Sequence, residues 1–214
     1  SMDIISAGSH KANAYILGYT FNTDLTDQIH LFMNTSITKT GYGYLIINDN
    51  QATLAAAFKK ENMSPKTISN NLKKAAESII DFVPDDAEAF SSFGSFNINQ
   101  SRIDQKNRLF IGEAGGFQDF LFGFGMNYAI HSGYFAAKSI IDKNPFKNYF
   151  SRELLPHMKA SVVNRYFYEK LNEKQRYIIC KKISKSTSPL QFLKNHSRYT
   201  FKKKMIYTLF CCKF

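Results

Sequence analysis

Gly112, Glu113, Gly115, Gly116, Gly123 and Gly125 are the residues whose types and spacing could do chemistry in this chain of 214 residues. They lie within RLFIGEAGGFQDFLFGFGMNYAIHSGYFAAKSI, from Arg108 to Ile140. Glycines packed this densely suggest a backbone that takes unusual dihedrals or passes very close to something. A helical pattern begins after Gly125. A helix N-terminus offers unpaired N–H groups and a partial positive charge, which suits phosphate or the electron-rich edge of a cofactor ring. The same glycines also fit a tight turn with close helix–sheet packing, and the pattern alone leaves both readings open.

No other stretch offers a self-contained reaction. His10, His30, His131, His157 and His196 are scattered, and no His, Cys, Asp or Glu cluster has metal-site spacing, so no metal is expected. His131, beside Ser132, reads as a hydrogen-bonded structural histidine. Asp85, Asp86 and Glu88 crowd a turn, where solvated charge is the default. No Gly-x-Ser-x-Gly elbow and no phosphate-binding Lys loop is present. The catalytic residues are therefore unknown from sequence.

The elements that must position the glycine stretch can be read on either side of it. Leu109 to Ile111 is a short apolar run that reads as a buried strand. Gly125, Ala129, Gly133, Ala136 and Ala137 follow three- and four-residue steps, giving a helix with one small face that stops before Asn144-Pro145. Asp3 to His10 reads as a strand entering a turn at Gly8. Tyr15 to Asn22, Gln28 to Lys39, Tyr42 to Asn48 and Gln51 to Phe58 read as four strands separated by turn signals. Ile29, Leu31 and Met33 alternate with His30, Phe32 and Asn34, the period of an antiparallel sheet. Ser64-Pro65 starts a helix whose apolar face is Ile68, Leu72, Ala75, Ala76, Ile79 and Val83, ending at Pro84. Glu88 to Phe96 reads as another strand, with Phe90, Phe93 and Phe96 as core or pocket lining. After Pro145 the pattern is helical to about Ser184, with a break at 186–189.

The glycine stretch resembles the second flavin-contacting motif of FAD-dependent oxidoreductases of the geranylgeranyl reductase type, within the hydroxybenzoate-hydroxylase-like group. In that family a strand runs into Gly-Asp-Ala-Ala-Gly, then a loop with Pro and Gly-x-Gly, then a helix carrying Ser-Gly-x-x-Ala-Ala. The matching residues here are Gly112-Glu113-Ala114-Gly115-Gly116, Gly123-Phe124-Gly125, Ser132-Gly133 and Ala136-Ala137. Glu113 stands for the family's Asp, Phe120 for its loop proline, and Phe124 for the polar residue between the last glycines. The resemblance implies an FAD cofactor, with Glu113 bonding the ribityl chain and the Gly123 and Gly125 amides facing the flavin ring. The cofactor-binding set it implies is Gly112, Glu113, Ala114, Gly123, Phe124, Gly125 and Met126. Gly41 to Ile47 lies where the family has Gly-Tyr-x-Trp-x-Phe-Pro in the sheet that roofs the flavin. That implies a substrate pocket involving Tyr42 and Tyr44, with Phe93 beside them; cross-strand aromatic packing is the alternative for the two tyrosines. The family's upstream Gly-x-Gly-x-x-Gly has no counterpart, so the chain reads as a fragment or truncated form.

The expected fold class is α+β. An antiparallel substrate-domain sheet with one helix spans 3–107, the flavin-contacting strand–loop–helix spans 108–145, and C-terminal helices with a basic tail span 146–214. Hydrophobic residues make up 44% and aromatics 15%, with 20 Phe, which is enough for a core and fits either a phenylalanine-rich interior or an apolar ligand surface. Net charge is +11, yet nine Lys or Arg and no Asp or Glu fall from Lys181 onward, so the basicity belongs to the tail. There, packing on the domain ranks first, contact with an anionic membrane surface second, and nucleic acid a distant third. Cys180, Cys211 and Cys212 form no disulfide framework and fit a reducing, cytoplasmic compartment, with a peripheral membrane location as an option. Acylation of Cys211-Cys212 ranks behind a buried or idle pair. No apolar window reaches membrane-spanning length.

By resemblance, the enzyme would transfer a hydride to carbon–carbon double bonds of an isoprenoid or similar apolar lipid. A flavin monooxygenase or halogenase shares the motif. A non-catalytic lipid-binding or membrane-associated module derived from such an enzyme is the reading from another class.

Overall fold

The computed structural model describes residues 3–8, 12–94, 98, 103–105 and 107–211, without the side chains of 189, 190 and 211. The readings placed on His10, Phe96 and Cys212 lie outside these residues. The architecture is α+β, with an antiparallel sheet and helices. The chain divides into two compact units, one of residues 13–93 with 172–177, the other of residues 1–12, 94–171 and 178–214.

The first unit is an antiparallel sheet covered on one face by a helix. Its strands are β2 (Ala14–Asn22), β3 (Gln28–Phe32), β4 (Tyr42–Asn48), β5 (Gln51–Lys59) and β6 (Glu88–Gly94), in the order β3-β4-β5-β2-β6. The β4–β5 turn places Asp49 and Asn50 at φ 51° and 61°. Two successive positive φ values match the twist of a two-residue hairpin, and Asp and Asn tolerate them. Leu45, Ile47, Ala52, Leu54 and Ala56 pack in one buried cluster with Ile68, Leu72 and Ala76 of α1 (Pro65–Ala76). Ser64 caps α1, its hydroxyl accepting the Thr67 N–H at 3.1 Å, as the sequence predicts.

Two elements are shorter than the sequence predicts. β3 ends at Phe32 rather than Lys39, because the chain turns at Asn34, whose carbonyl accepts the Ile37 N–H at 3.2 Å. That turn buries Ile37 and Thr38. The predicted alternation in β3 is present: Ile29 and Leu31 are 76% and 54% exposed, while His30 and Phe32 are partly covered. α1 ends at Ala76 rather than before Pro84. Ser78 Oγ donates to the Ala75 carbonyl at 2.8 Å, a local bond that competes with the helical ladder, and the turn that follows still buries Ile80.

The second unit begins with β1 (Asp3–Ile5), which pairs in parallel with β8 (Arg108–Phe110); β7 (Asp104–Gln105) pairs antiparallel on the other side of β8. Beyond β8 come a short 3-10 turn at Gly112–Gly115 and α2 (Met126–Ile141). The C-terminal helices are α3 (Phe146–Tyr149), α4 (Leu155–Tyr168), α5 (Glu173–Ser184), α6 (Pro189–Ser197) and α7 (Phe201–Ile206), with π-helical stretches at Phe150–Leu154 and Tyr207–Cys211. α5 starts in the sheet unit, where buried Arg176 donates to the Lys39 carbonyl at 2.6 Å. The first π stretch precedes Pro156. Proline has no N–H and crowds the carbonyl four residues back, and the wider turn relieves that conflict. Leu109, Phe117, Phe120, Phe146, Phe150, Met158 and Val162 form the core of this unit, with Phe117 edge-on to Phe150 at 5.5 Å between ring centroids. Among the described residues, no helix is long and apolar enough to cross a membrane.

Candidate functional site: the glycine turn and the N-terminus of the central helix

The turn after β8 is set by glycines where side chains could not go. Gly112 and Gly116 have φ 54° and 77°, the left-handed region that glycine adopts without strain. A Cβ on Gly115 would stand 2.4 Å from Phe117 Cε2 and 2.6 Å from the Phe110 carbonyl oxygen. The turn is closed by the Gly116 and Phe117 N–H groups, which donate to the carbonyls of Glu113 and Gly112, both at 2.9 Å. Ser132 of α2 is fully buried; its Oγ accepts the Gly112 N–H at 2.9 Å and donates to the Ala129 carbonyl at 3.0 Å. That bond ties the glycine turn to the middle of α2.

The small face of α2 approaches the turn, where a Cβ on Gly112 would stand 3.5 Å from Ala129 Cβ. Ser132, Ala136 and Ser139 are buried, whereas Ala129 and Ala137 are exposed. Both serines turn their hydroxyls back onto the helix, Ser139 Oγ donating to the Ala136 carbonyl at 2.7 Å, and so pack as small satisfied residues. His131 is exposed and stacks its ring on Phe135.

Between the turn and α2 the loop is built around Asp119, which the sequence reading passed over. Its Oδ2 accepts the Phe122 N–H at 2.7 Å, its carbonyl accepts the Gly123 N–H at 2.8 Å, and its N–H donates to the Phe124 carbonyl at 3.0 Å. Burial pushes the Asp119 carboxyl above its ordinary value, opposed by the Phe122 and Leu121 backbone bonds and by Arg165. Buried Arg165 of α4 donates to the Leu121 carbonyl at 2.9 Å and pairs with Glu169 at 2.7 Å. Half-buried Tyr128 has its phenol pushed up by burial and then by the Asp119 charge. Phe120, which stands for the family's loop proline, is a core residue whose N–H donates to Ser161 Oγ at 2.9 Å.

The candidate cofactor residues fall in the glycine turn and at the start of α2. Gly112 and Ala114 are buried in the turn, and half-buried Glu113 directs its carboxyl toward Gly94. A Cβ on Gly94 would stand 3.3 Å from Glu113 Oε1 and 3.7 Å from Gln118 Oε1. A Cβ on Gly125 would stand 3.4 Å from Gln118 Cγ. Gln118, a buried amide that the sequence reading did not single out, therefore joins Gly94, Glu113 and Gly125 in one polar cradle. Gly123, at φ 79°, already gives its amide to Asp119, so that amide is committed within the loop. The first ladder bond of α2 runs from the Ala129 N–H to the Gly125 carbonyl at 2.8 Å, so the Met126, Asn127 and Tyr128 amides precede the ladder. Phe124 and Met126 are 63% and 79% exposed at this end of the helix.

The candidate substrate residues belong to the sheet unit. Tyr42 and Tyr44 alternate with Gly43 and Leu45 and so lie on the face away from α1. Tyr42 is buried, with its ring centroid 6.2 Å from that of Tyr44. Half-buried Tyr44 has its phenol pushed up by burial and pairs across the ladder with Leu31; Ile46 pairs with Ile29. Ile29, Leu31, Tyr44 and Ile46 thus form an open apolar patch. Phe93 is 54% exposed and is not core. A cavity of about 360 Å³ in the same unit is lined by Thr20, Asn22, Gln51, Pro84, Asp86 and Glu88 with Phe21, and by none of the predicted substrate residues.

Solved structures share this fold. A geranylgeranyl bacteriochlorophyll reductase-like protein from Thermoplasma acidophilum matches 92% of this chain with a TM-score of 0.65 and 14% identity. A flavin-dependent brominase matches 92% with a TM-score of 0.53 and 13% identity, and a flavin-dependent halogenase from Brevundimonas matches 84% with a TM-score of 0.50 and 13% identity. This chain spans 52%, 54% and 36% of those three chains respectively. No family model matches the sequence. The search of curated proteins returned no match.

Proposed function

We propose that this chain is the substrate-binding and C-terminal portion of an FAD-dependent oxidoreductase that reduces carbon–carbon double bonds of an isoprenoid or related lipid. The observation that carries the reading is the cradle of Gly94, Glu113, Gln118 and Gly125 at the N-terminus of α2, on a fold shared with flavin-dependent enzymes. The residues fit the group. Glycine at positions 94 and 125 leaves room beside the Glu113 carboxyl and the Gln118 amide. Glu113 would accept hydroxyl donors of the ribityl chain, and the first-turn amides of α2 would meet the electron-rich edge of the ring. When bound, reduced flavin would supply the hydride to one carbon, and a proton from solvent would complete the second C–H bond. This chain's own part would be to hold the ribityl chain through Glu113 and the ring edge through the first-turn amides of α2.

A nucleotide-binding half would complete the enzyme, and α2 offers a surface for it. Met126, Ile130, Tyr134 and Ile141 recur at helical spacing and are 79%, 66%, 58% and 79% exposed. A parallel strand pair such as β1–β8 is also most at home inside a larger covered sheet.

The test is anaerobic incubation of the protein and chemically reduced FAD with a short-chain isoprenoid, with products read by mass. A gain of two hydrogens, diminished in Glu113→Leu, is expected. The halogenase-type reading, favoured by two of the fold relatives, predicts substrate oxygenation or halogenation with oxygen and halide instead. Retention of the isoprenoid with no turnover and no flavin binding would point to a non-catalytic lipid module.

A further inference from the structure

The end of the chain carries an apolar ridge turned away from the protein. α7 and the π stretch that continues it pack one side on α4: Ile206 and Tyr207 join the core, and Phe210 stacks on Tyr166 at 5.9 Å between ring centroids. Lys203 is on this inner side, donating to the His196 carbonyl, and burial pushes its ammonium below its ordinary value. On the outer side, Phe201, Met205 and Leu209 follow one another at four-residue steps and are 77%, 51% and 66% exposed. Four-residue steps place three side chains in one row along a helix. Lys202 and Lys204, both exposed, flank that row, one on each side.

A packed helix normally turns its apolar residues inward and its charges outward. Here one face is already satisfied by α4, and a second apolar row still faces out between lysines. From Lys181 to Phe214 the sequence has nine Lys or Arg and no Asp or Glu. A protein partner of mixed charge would find no acidic group here to pair with its own lysines; a uniformly anionic, apolar-centred surface satisfies both features together. We infer that the Phe201–Met205–Leu209 ridge inserts at the interface of an anionic lipid bilayer, with Lys202 and Lys204 at the headgroup level. The helix lies in the plane of the surface and does not span it. The inference does not depend on flavin binding at the glycine turn.

The test is flotation of the full chain with phosphatidylcholine vesicles, with and without added phosphatidylglycerol. Binding is expected only to the anionic vesicles and should weaken as salt rises. Each of Lys202→Gln and Lys204→Gln should lower partitioning roughly fivefold. The pair Phe201→Ser with Leu209→Ser should lower it on the order of a hundredfold, with an unchanged circular dichroism spectrum because both side chains are exposed. Should that pair fail to fold, Lys202→Glu with Lys204→Glu gives the same reading through charge alone. Equal binding to neutral vesicles, or flotation unaffected by either pair, overturns the inference. So does self-association that the serine pair abolishes without any vesicle binding, which would give the ridge to a second copy. RNA binding that survives the serine pair, without vesicle binding, would give the lysines to nucleic acid and also overturns it.

Discussion

Ser132 and Gly115 show how much of the site depends on single atoms. Ser132→Ala would leave the buried Gly112 N–H without its 2.9 Å acceptor, and a loss of about 1–3 kcal/mol in urea-unfolding stability is expected. Gly115→Ala would press a methyl against Phe117 and the Phe110 carbonyl, with an expected loss of about 1–3 kcal/mol. Asp119 makes a prediction in pH. Its folded-state pKa is raised, so the folded protein holds that proton more tightly than the unfolded chain. The stability it contributes is present below the ordinary carboxylate value and is lost as pH rises through the folded value. Thermal midpoints of wild type should therefore fall, relative to Asp119→Asn, as pH rises above about 4; parallel profiles would contradict the role given to burial. The sequence exposed the glycines and Glu113 because their types are unusual in such density. It hid Gln118 and Asp119, which are ordinary polar residues whose importance comes from the side chains and backbone they lie beside.

At the scale of elements, the strands of the sheet unit were legible because side chains alternate and turns carry Asn, Asp and Gly. β4 spans the predicted Tyr42 to Asn48, and β2 and β5 each depart from their predicted bounds by one residue. What the pattern could not show was where tertiary bonds override it, as at Asn34, where the chain leaves the sheet, and at Ser78, where α1 has already stopped. The exposure of Ile29 and Leu31 was not legible either, since periodicity marks two faces without saying which is covered. The π stretch before Pro156 predicts that Pro156→Ala lets Phe150–Leu154 return toward α-helical spacing. Amide exchange should report this as increased protection in that stretch; unchanged exchange would mean that packing of Phe150 and Leu154 holds the wide turn.

At the scale of the whole molecule, the division into units was the least legible feature. β1 pairs with a strand that lies beyond all five strands of the sheet unit in sequence, Asp3 facing Arg108, and no local pattern announces such a pairing. The exposed row on α2 is also a property of the assembled chain. Ile130→Lys with Ile141→Lys should lower both hydrophobic-dye binding and self-association, because the two residues share one solvent-facing stripe. The central claim is that the turn and helix start from Gly112 to Met126 hold a flavin. The most direct measurement is a flavin titration of the purified chain, read by quenching of flavin fluorescence and a shifted visible spectrum, with wild type beside Gly125→Val. Wild type should bind saturably with a Kd in the range of about 10 µM to 1 mM, and the variant at least tenfold more weakly. Equal binding by both proteins, or none by a folded wild type across that range, would contradict the central claim.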